Sequence, residues 1–310
     1  FGSHALVSLK DGTYNTAIGH YAMQNLENAN YNVAVGYAAG SNVQDGSQRN
    51  TILGYRAGQG KIWGSDNIVM GYFSAYNGIT SNNIIMGNEA GRYMSGSNNI
   101  AIGNDSMQGV GTSTMSNIQY NIGIGYRTLR YLAAEAQNST AVGYKAGYFA
   151  TGSYNTFFGA EAGQGGTTSA PYSSGTKNVA LGYQALTAFT TGANNVAVGT
   201  NAGDLLSTGA NNILIGLDVA GDYTTGDNSV VIGRQALNLE QTGHSTVAIG
   251  YRAAYKQRVN ATTYNTYIGT SAGLENTSGI ENIFIGYDAG RGQSGAHPDR
   301  GTFVGFRAGY

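Results

Sequence analysis

The stretch Asn32-Val33-Ala34-Val35-Gly36-Tyr37-Ala38-Ala39-Gly40 decides the fold of this chain. Its first five residues recur as NTAIG at Asn15–Gly19, NILIG at Asn212–Gly216 and NIFIG at Asn282–Gly286. Seventeen copies are present, anchored on Gly19, Gly36, Gly54, Gly71, Gly87, Gly103, Gly125, Gly143, Gly159, Gly182, Gly199, Gly216, Gly233, Gly250, Gly269, Gly286 and Gly305. Their sixteen intervals span 286 residues, a mean step of 17.9. A fixed period of this kind overrides local readings, because each repeat must be one structural unit stacked on the next.

Three positions before each glycine (−3) stands Thr, Val or Ile in all seventeen copies, and one position before it (−1) stands Ile, Val, Leu, Met or Phe. β-branched and aliphatic residues two apart share one face of a strand. The expectation is an inward stripe at −1, with Ile18, Val35, Leu53, Ile102, Val142, Val198, Ile215, Ile232, Ile249 and Ile285 as structural core. After the glycine, a phrase of the form YxAG (Tyr37–Gly40, Tyr55–Gly58, Tyr287–Gly290) reads as a second short strand. Its Tyr at +1 faces the core and its charged or polar +2 residue faces outward. Two strands and two turns fill the step, and neither strand satisfies its backbone alone, so stacking at ~4.8 Å is forced.

The fold class that follows is all-β: a parallel β-solenoid, or β-roll, of about 17 turns with a ~17-residue repeat and a length of roughly 80 Å. Residues 1–14 read as a leading segment and 15–310 as the solenoid, with longer loops near 104–120 and 160–177. Asn occupies −4 in thirteen copies. An axial ladder of amide hydrogen bonds is expected there.

Position −2, on the opposite strand face from −3 and −1, is also apolar: it includes Ile52, Val69, Ile85, Phe157, Leu214, Val231, Tyr267, Phe284 and Phe303. A sheet apolar on both faces must be covered on both. Nearly every residue belongs to a repeat, so the cover is expected from other copies of the chain. That implies a parallel homo-oligomer with the residues just named as its interface and the +2 row outside.

The composition suits this reading. Gly is 49 of 310, charged residues are 11%, Pro is 2 and Cys is absent, so disulfides and thiolate sites drop out. A net charge of −1 gives no footprint for nucleic acid or anionic lipid. No run of apolar residues is long enough to insert into a membrane, and Phe1–Gly12 has neither the basic flank nor the apolar core of a signal peptide.

The four His (His4, His20, His244, His297) are too scattered for a zinc site. No calcium-binding GGxGxD phrase and no regular Thr-x-Thr array occurs. Glu89 and Asp105 share +2 of consecutive repeats, the spacing a carboxylate pair needs, but both read as surface acids on a convex rod without a cleft. The expectations are no cofactor, no metal and no enzymatic activity. The longer interval near 160–177 offers Thr167, Thr168 and Tyr172 as a candidate surface-binding loop, since small polar residues beside an aromatic suit sugar or surface contact.

The phrases TYNTAIGHYAM, NNVAVGTNAG, KNVALGYQALTAFTTGANNVAVG and NIFIGYDAG resemble the NTAxGxxAL repeats found upstream of the endosialidase-type intramolecular chaperone in phage tail fibres. They are also similar to the NSVAIG repeats of trimeric autotransporter adhesin heads. The resemblance covers residues 15–310 and implies a homotrimer of parallel β-rolls, with the −2 row as its trimer interface. It also implies a structural and binding role: the shaft of a viral tail fibre, placed on the virion, with a bacterial surface adhesin head as the alternative and a polysaccharide-degrading tailspike as a third. The partners implied are further copies of the chain, adjoining fibre segments and a cell-surface glycan or protein receptor. The step of about 17 residues departs from the adhesin pattern, and no neck, stalk or anchor is present in this sequence.

Overall fold

Seventeen three-residue strands, each ending just before an anchor glycine, run from Thr16–Ile18 to Thr302–Val304. In the computed structural model, which describes residues 2–109, 115–167, 172–259, 261–292 and 299–310, they form a parallel β-solenoid of about sixteen turns at ~17-residue spacing. No helix is present among the described residues. The chain divides into two compact units, Phe1–Tyr154 and Asn155–Tyr310. In each unit every repeat strand pairs in parallel with the next and in full register, as Val33 with Thr51 and Val35 with Leu53 in the first, and Val179 with Val196 and Leu181 with Val198 in the second.

The asparagine ladder is present. Asn32, Asn50, Asn67, Asn83 and Asn99 are fully buried. The Asn50 backbone N–H and Nδ2 both donate to Asn32 Oδ1, at 3.0 Å each, and Nδ2 also donates to the Gly64 carbonyl at 3.1 Å. The same three bonds recur at Asn195 and Asn212 in the second unit. Each side chain thus satisfies a backbone donor of the following coil and a carbonyl of the turn that leads into it, which a buried chain requires. The anchor glycines are equally constrained. Gly87 has φ +137° and a Cβ on it would lie 2.5 Å from the Gly103 carbonyl oxygen. Left-handed backbone and close stacking together leave no room for a side chain.

The two strand faces are the reverse of the expectation. The −2 residues point into the coil: Ile52, Val69, Ile85, Phe157, Leu214, Val231, Tyr267 and Phe284 are fully buried within the single chain, and Phe303 is half-buried. The −1 residues expected as core stand on the outer face. Ile18 and Leu53 are exposed, and Val35, Ile102, Val142, Val198, Ile215, Ile232, Ile249 and Ile285 are half-exposed. The reason lies after the glycine. Residues +1 to +4 form a turn, not a second strand, with left-handed backbone at +2 and +4, as at Arg56 (φ 53°) and Gly58 (φ 54°). There the Arg56 N–H donates to Tyr37 O of the coil before, and the Gly58 N–H to Ser74 O of the coil after, each at 2.8 Å. This turn folds the +3 row inward, as at Ala39, Ala57 and Ala90, and turns the +1 tyrosines outward.

Core volume is shared between −2 and +4. Where −2 is Ile, Phe or Tyr (Ile52, Ile85, Phe157, Tyr267, Phe284, Phe303), +4 is Gly; where +4 is Met or Leu (Met23, Met107, Leu129, Leu186, Leu237), −2 is Ala, Gly or Val. A Cβ on Gly309 would lie 2.6 Å from the Phe303 ring. Close packing allows one large group per layer.

The +7 column changes character along the second unit. Phe189 and Leu206 give way to Tyr223, Glu240, Gln257 and Asn276, all buried. The Glu240 carboxyl accepts backbone N–H bonds from Gln241, Thr242 and Gly243 on Oε1 (3.1, 3.2 and 2.9 Å) and from Val259 on Oε2 (2.9 Å), so both its buried oxygens are satisfied. Residues 2–14 also prove to be part of the coil stack: Leu6 N donates to Ala22 O, Ser8 N to Gln24 O and Lys10 N to Glu27 O, at 3.1, 3.2 and 3.0 Å.

Candidate interaction surfaces

Because each strand is only three residues long, its −3 and −1 side chains and the +1 residue beyond the glycine share one outward strip. Val33, Leu53, Ile68, Phe158, Leu181, Ile213 and Ile283 are exposed there. The +1 side chains stack along it: Tyr37 on Tyr55 at 5.2 Å, Tyr55 on Tyr72 at 5.4 Å, Tyr126 on Tyr144 at 5.5 Å and Tyr287 on Phe306 at 5.5 Å. The only charged residue at −3, −1 or +1 of any repeat is Arg234. Five residues of width and eight coils of length make roughly 500 Å² of nearly uncharged surface per unit. Soluble single chains rarely leave more than a few hundred Å² of contiguous apolar surface in water.

The +2 side chains link neighbouring coils. Arg127 Nε donates to Asp105 Oδ2 at 3.0 Å, Gln184 Nε2 to Glu161 Oε2 at 2.8 Å and Asn201 Nδ2 to Asp218 Oδ1 at 3.0 Å. Arg307 Nε lies 3.7 Å from Asp288 Oδ2. The carboxylates of Glu89 and Asp105, considered above as a pair, are engaged separately: Glu89 with Arg92 at 2.9 Å and with Gln108, Asp105 with Arg127. Among the described residues, no three His, Asp or Glu side chains come together as a metal-holding group.

In the candidate loop, Thr167 N–H reaches Ser173 Oγ at 3.5 Å and Thr167 Oγ1 lies 3.2 Å from the same oxygen, tying the loop base together. Tyr172 is half-buried and not the exposed aromatic the sequence suggested. Thr168 lies outside the described residues.

Two tyrosines in the second unit are buried polar groups of the core. Burial pushes the Tyr223 and Tyr267 phenols well above the ordinary tyrosine range. Tyr223 Oη donates to Gly243 O at 2.6 Å, and Tyr267 Oη accepts from Asn276 Nδ2 at 2.6 Å.

Sequence reasoning missed a surface cleft of about 400 Å³ lined by Asn42, Gln59, Gly60, Lys61, Tyr76 and Asn77. All six stand five to seven residues past an anchor glycine, where no residue type repeats strictly. Comparison of the chain with protein-family models, curated proteins and solved structures finds no match.

Proposed function

We propose that this chain is a self-associating structural protein: the repeat shaft of a parallel homotrimeric fibre of the viral tail-fibre kind, which carries or contributes to attachment at a cell surface. The observation that carries the reading is the outward strip of −3, −1 and +1 side chains. In each unit the strip amounts to roughly 500 Å², more contiguous apolar surface than soluble single chains ordinarily leave in water. A second copy is the natural cover, since its strip presents the same rows at the same coil spacing and meets them without unpaired charge. The trimeric number and the fibre setting rest on the repeat resemblance.

The test is mass in solution. The wild-type chain is expected to sediment as a trimer, and Leu53→Asp with Leu181→Asp, one outward substitution in each unit, to yield a monomer that keeps its β circular dichroism. Placing charge at inward Ile52 or Phe284 would instead unfold the coil. A wild type that stays monomeric at about 100 μM defeats the proposal.

A further inference from the structure

We infer that the cleft across the second to fourth coils is a saccharide-binding site, selective for a sugar that carries a carboxylate. The site is built inside one chain and does not rest on self-association. Its residues lie in the turn region past the glycine, off the −3/−1/+1 strip, so a homotrimer formed through that strip leaves it open.

In the first coils, side chains at +6 bond along the stack. Asn25 Nδ2 donates to Asn42 Oδ1 at 2.7 Å, and Asn42 Nδ2 donates to the Gln59 carbonyl at 2.6 Å. The row then breaks at Gly60, which has no side chain to continue it. Beyond the break, the buried Gln59 Oε1 has no hydrogen-bond partner, and the exposed Lys61 and Asn77 side chains and the half-buried Tyr76 line the same cleft. A buried, unpaired amide oxygen beside three further polar side chains in one cleft of about 400 Å³ offers a set of hydrogen bonds to a ligand.

The mix of groups selects the ligand. Planar amides offer a donor and an acceptor side by side, which matches vicinal hydroxyls. The Tyr76 ring, packed 5.0 Å from Phe73, supplies an apolar face against which a pyranose C–H face rests. Lys61 is the only charged group lining the cleft. No acid neutralises it, and its Nζ lies 5.1 Å from the ring of Trp63, which is exposed at the rim. A carboxylate on the sugar completes that site with a charge-assisted bond. A phosphorylated nucleic-acid backbone is disfavoured by a single lysine and a near-neutral chain.

Trp63 is the chain's single tryptophan, so it reports directly on this cleft. Titration with tetragalacturonate, read by Trp63 emission and by calorimetry, is expected to saturate by about 10 mM, in the range of a small, open site. Lys61→Met and Asn77→Ala should each weaken it about tenfold or more, the loss of one or two hydrogen bonds to a charged or polar ligand, with mass and circular dichroism unchanged. Maltotetraose, neutral and of equal length, should bind about tenfold more weakly than the acidic sugar. The inference is overturned by no saturable signal in either readout, by equal affinity in both variants and wild type, or by equal binding of the neutral sugar. None of these outcomes bears on the oligomeric mass.

Discussion

Replacing Asn50 by Ala removes one rung of the buried ladder, and the structure says which groups lose partners. The Asn50 backbone N–H keeps its bond to Asn32 Oδ1, and Asn67 Nδ2 keeps its second acceptor, the Thr80 carbonyl at 2.6 Å. Two buried groups are orphaned: the Asn67 N–H, which now donates to Asn50 Oδ1 at 3.1 Å, and the Gly64 carbonyl, which accepts from Asn50 Nδ2. At about 1–3 kcal/mol for each unsatisfied buried group, Asn50→Ala costs about 2–6 kcal/mol. The chain contains its own control. At Ser229 a hydroxyl takes the rung, and its Oγ accepts the Thr246 N–H at 3.2 Å. Asn50→Ser should satisfy Asn67 in the same way and cost about half as much, since only Gly64 is then left unpaired. Denaturant unfolding at fixed protein concentration measures both values, and hydrogen exchange at the Asn67 amide reads the lost bond directly. A cost below about 1 kcal/mol for Asn50→Ala, or a serine variant no better than the alanine one, would refute the view that the ladder acts by satisfying backbone groups.

Three further outcomes follow from the packing and the buried phenols. Phe157→Ala should cost about 3–5 kcal/mol by opening a cavity, and adding Gly163→Leu should restore a good part of it, because Leu186 already takes the same left-handed +4 position beside Ala180; a double variant no more stable than the single one contradicts the shared-volume account. Gly87→Ala should cost at least about 3 kcal/mol, since alanine meets both the positive φ and the Gly103 carbonyl, and a soluble, fully β variant of wild-type stability would show the stacking to be loose. Tyr223 and Tyr267 have folded-state pKa values raised above 10.0, so the stability they lend is complete below about pH 10 and falls as pH rises beyond it, because the unfolded phenols ionise first. Each should steepen alkaline destabilisation by up to about 1.4 kcal/mol per pH unit, and the double phenylalanine variant should flatten that slope between pH 10 and 12; an unchanged slope rules the phenols out as its cause.

Much of the architecture is legible in the sequence because the repeat has no slack. Thr, Val or Ile at −3 and aliphatic residues at −1 mark a strand in every copy, and Asn at −4 marks the ladder that the structure contains. The turn after the glycine was harder to read. YxAG alternates apolar and polar residues as a strand would, but its +2 and +4 backbone is left-handed at residues as unlike as Arg56, Lys145 and Met23, and side-chain identity carries little information on that point. The cleft was hidden for the opposite reason. Asn42, Lys61 and Asn77 carry chemistry but no periodicity, whereas the loop at 160–177 stands out by its length and its small polar residues beside an aromatic.

Which strand face points inward is the instructive case. Period-2 alternation separates −2 from −3 and −1, but when both sets are apolar it does not say which is inside. A different signal does. The −3 and −1 rows are mostly of one size, whereas −2 runs from Gly123 to Tyr267 and shrinks whenever +4 is Met or Leu. An outward residue has no reason to track the volume of a residue in its own turn; an inward one must, since the two fill the same layer. Size compensation between −2 and +4 is therefore the mark of the core. With −2 turned inward, the apolar surface left exposed is the strip of Leu53, Ile68, Leu181 and their neighbours, and it is this strip on which the proposed self-association rests.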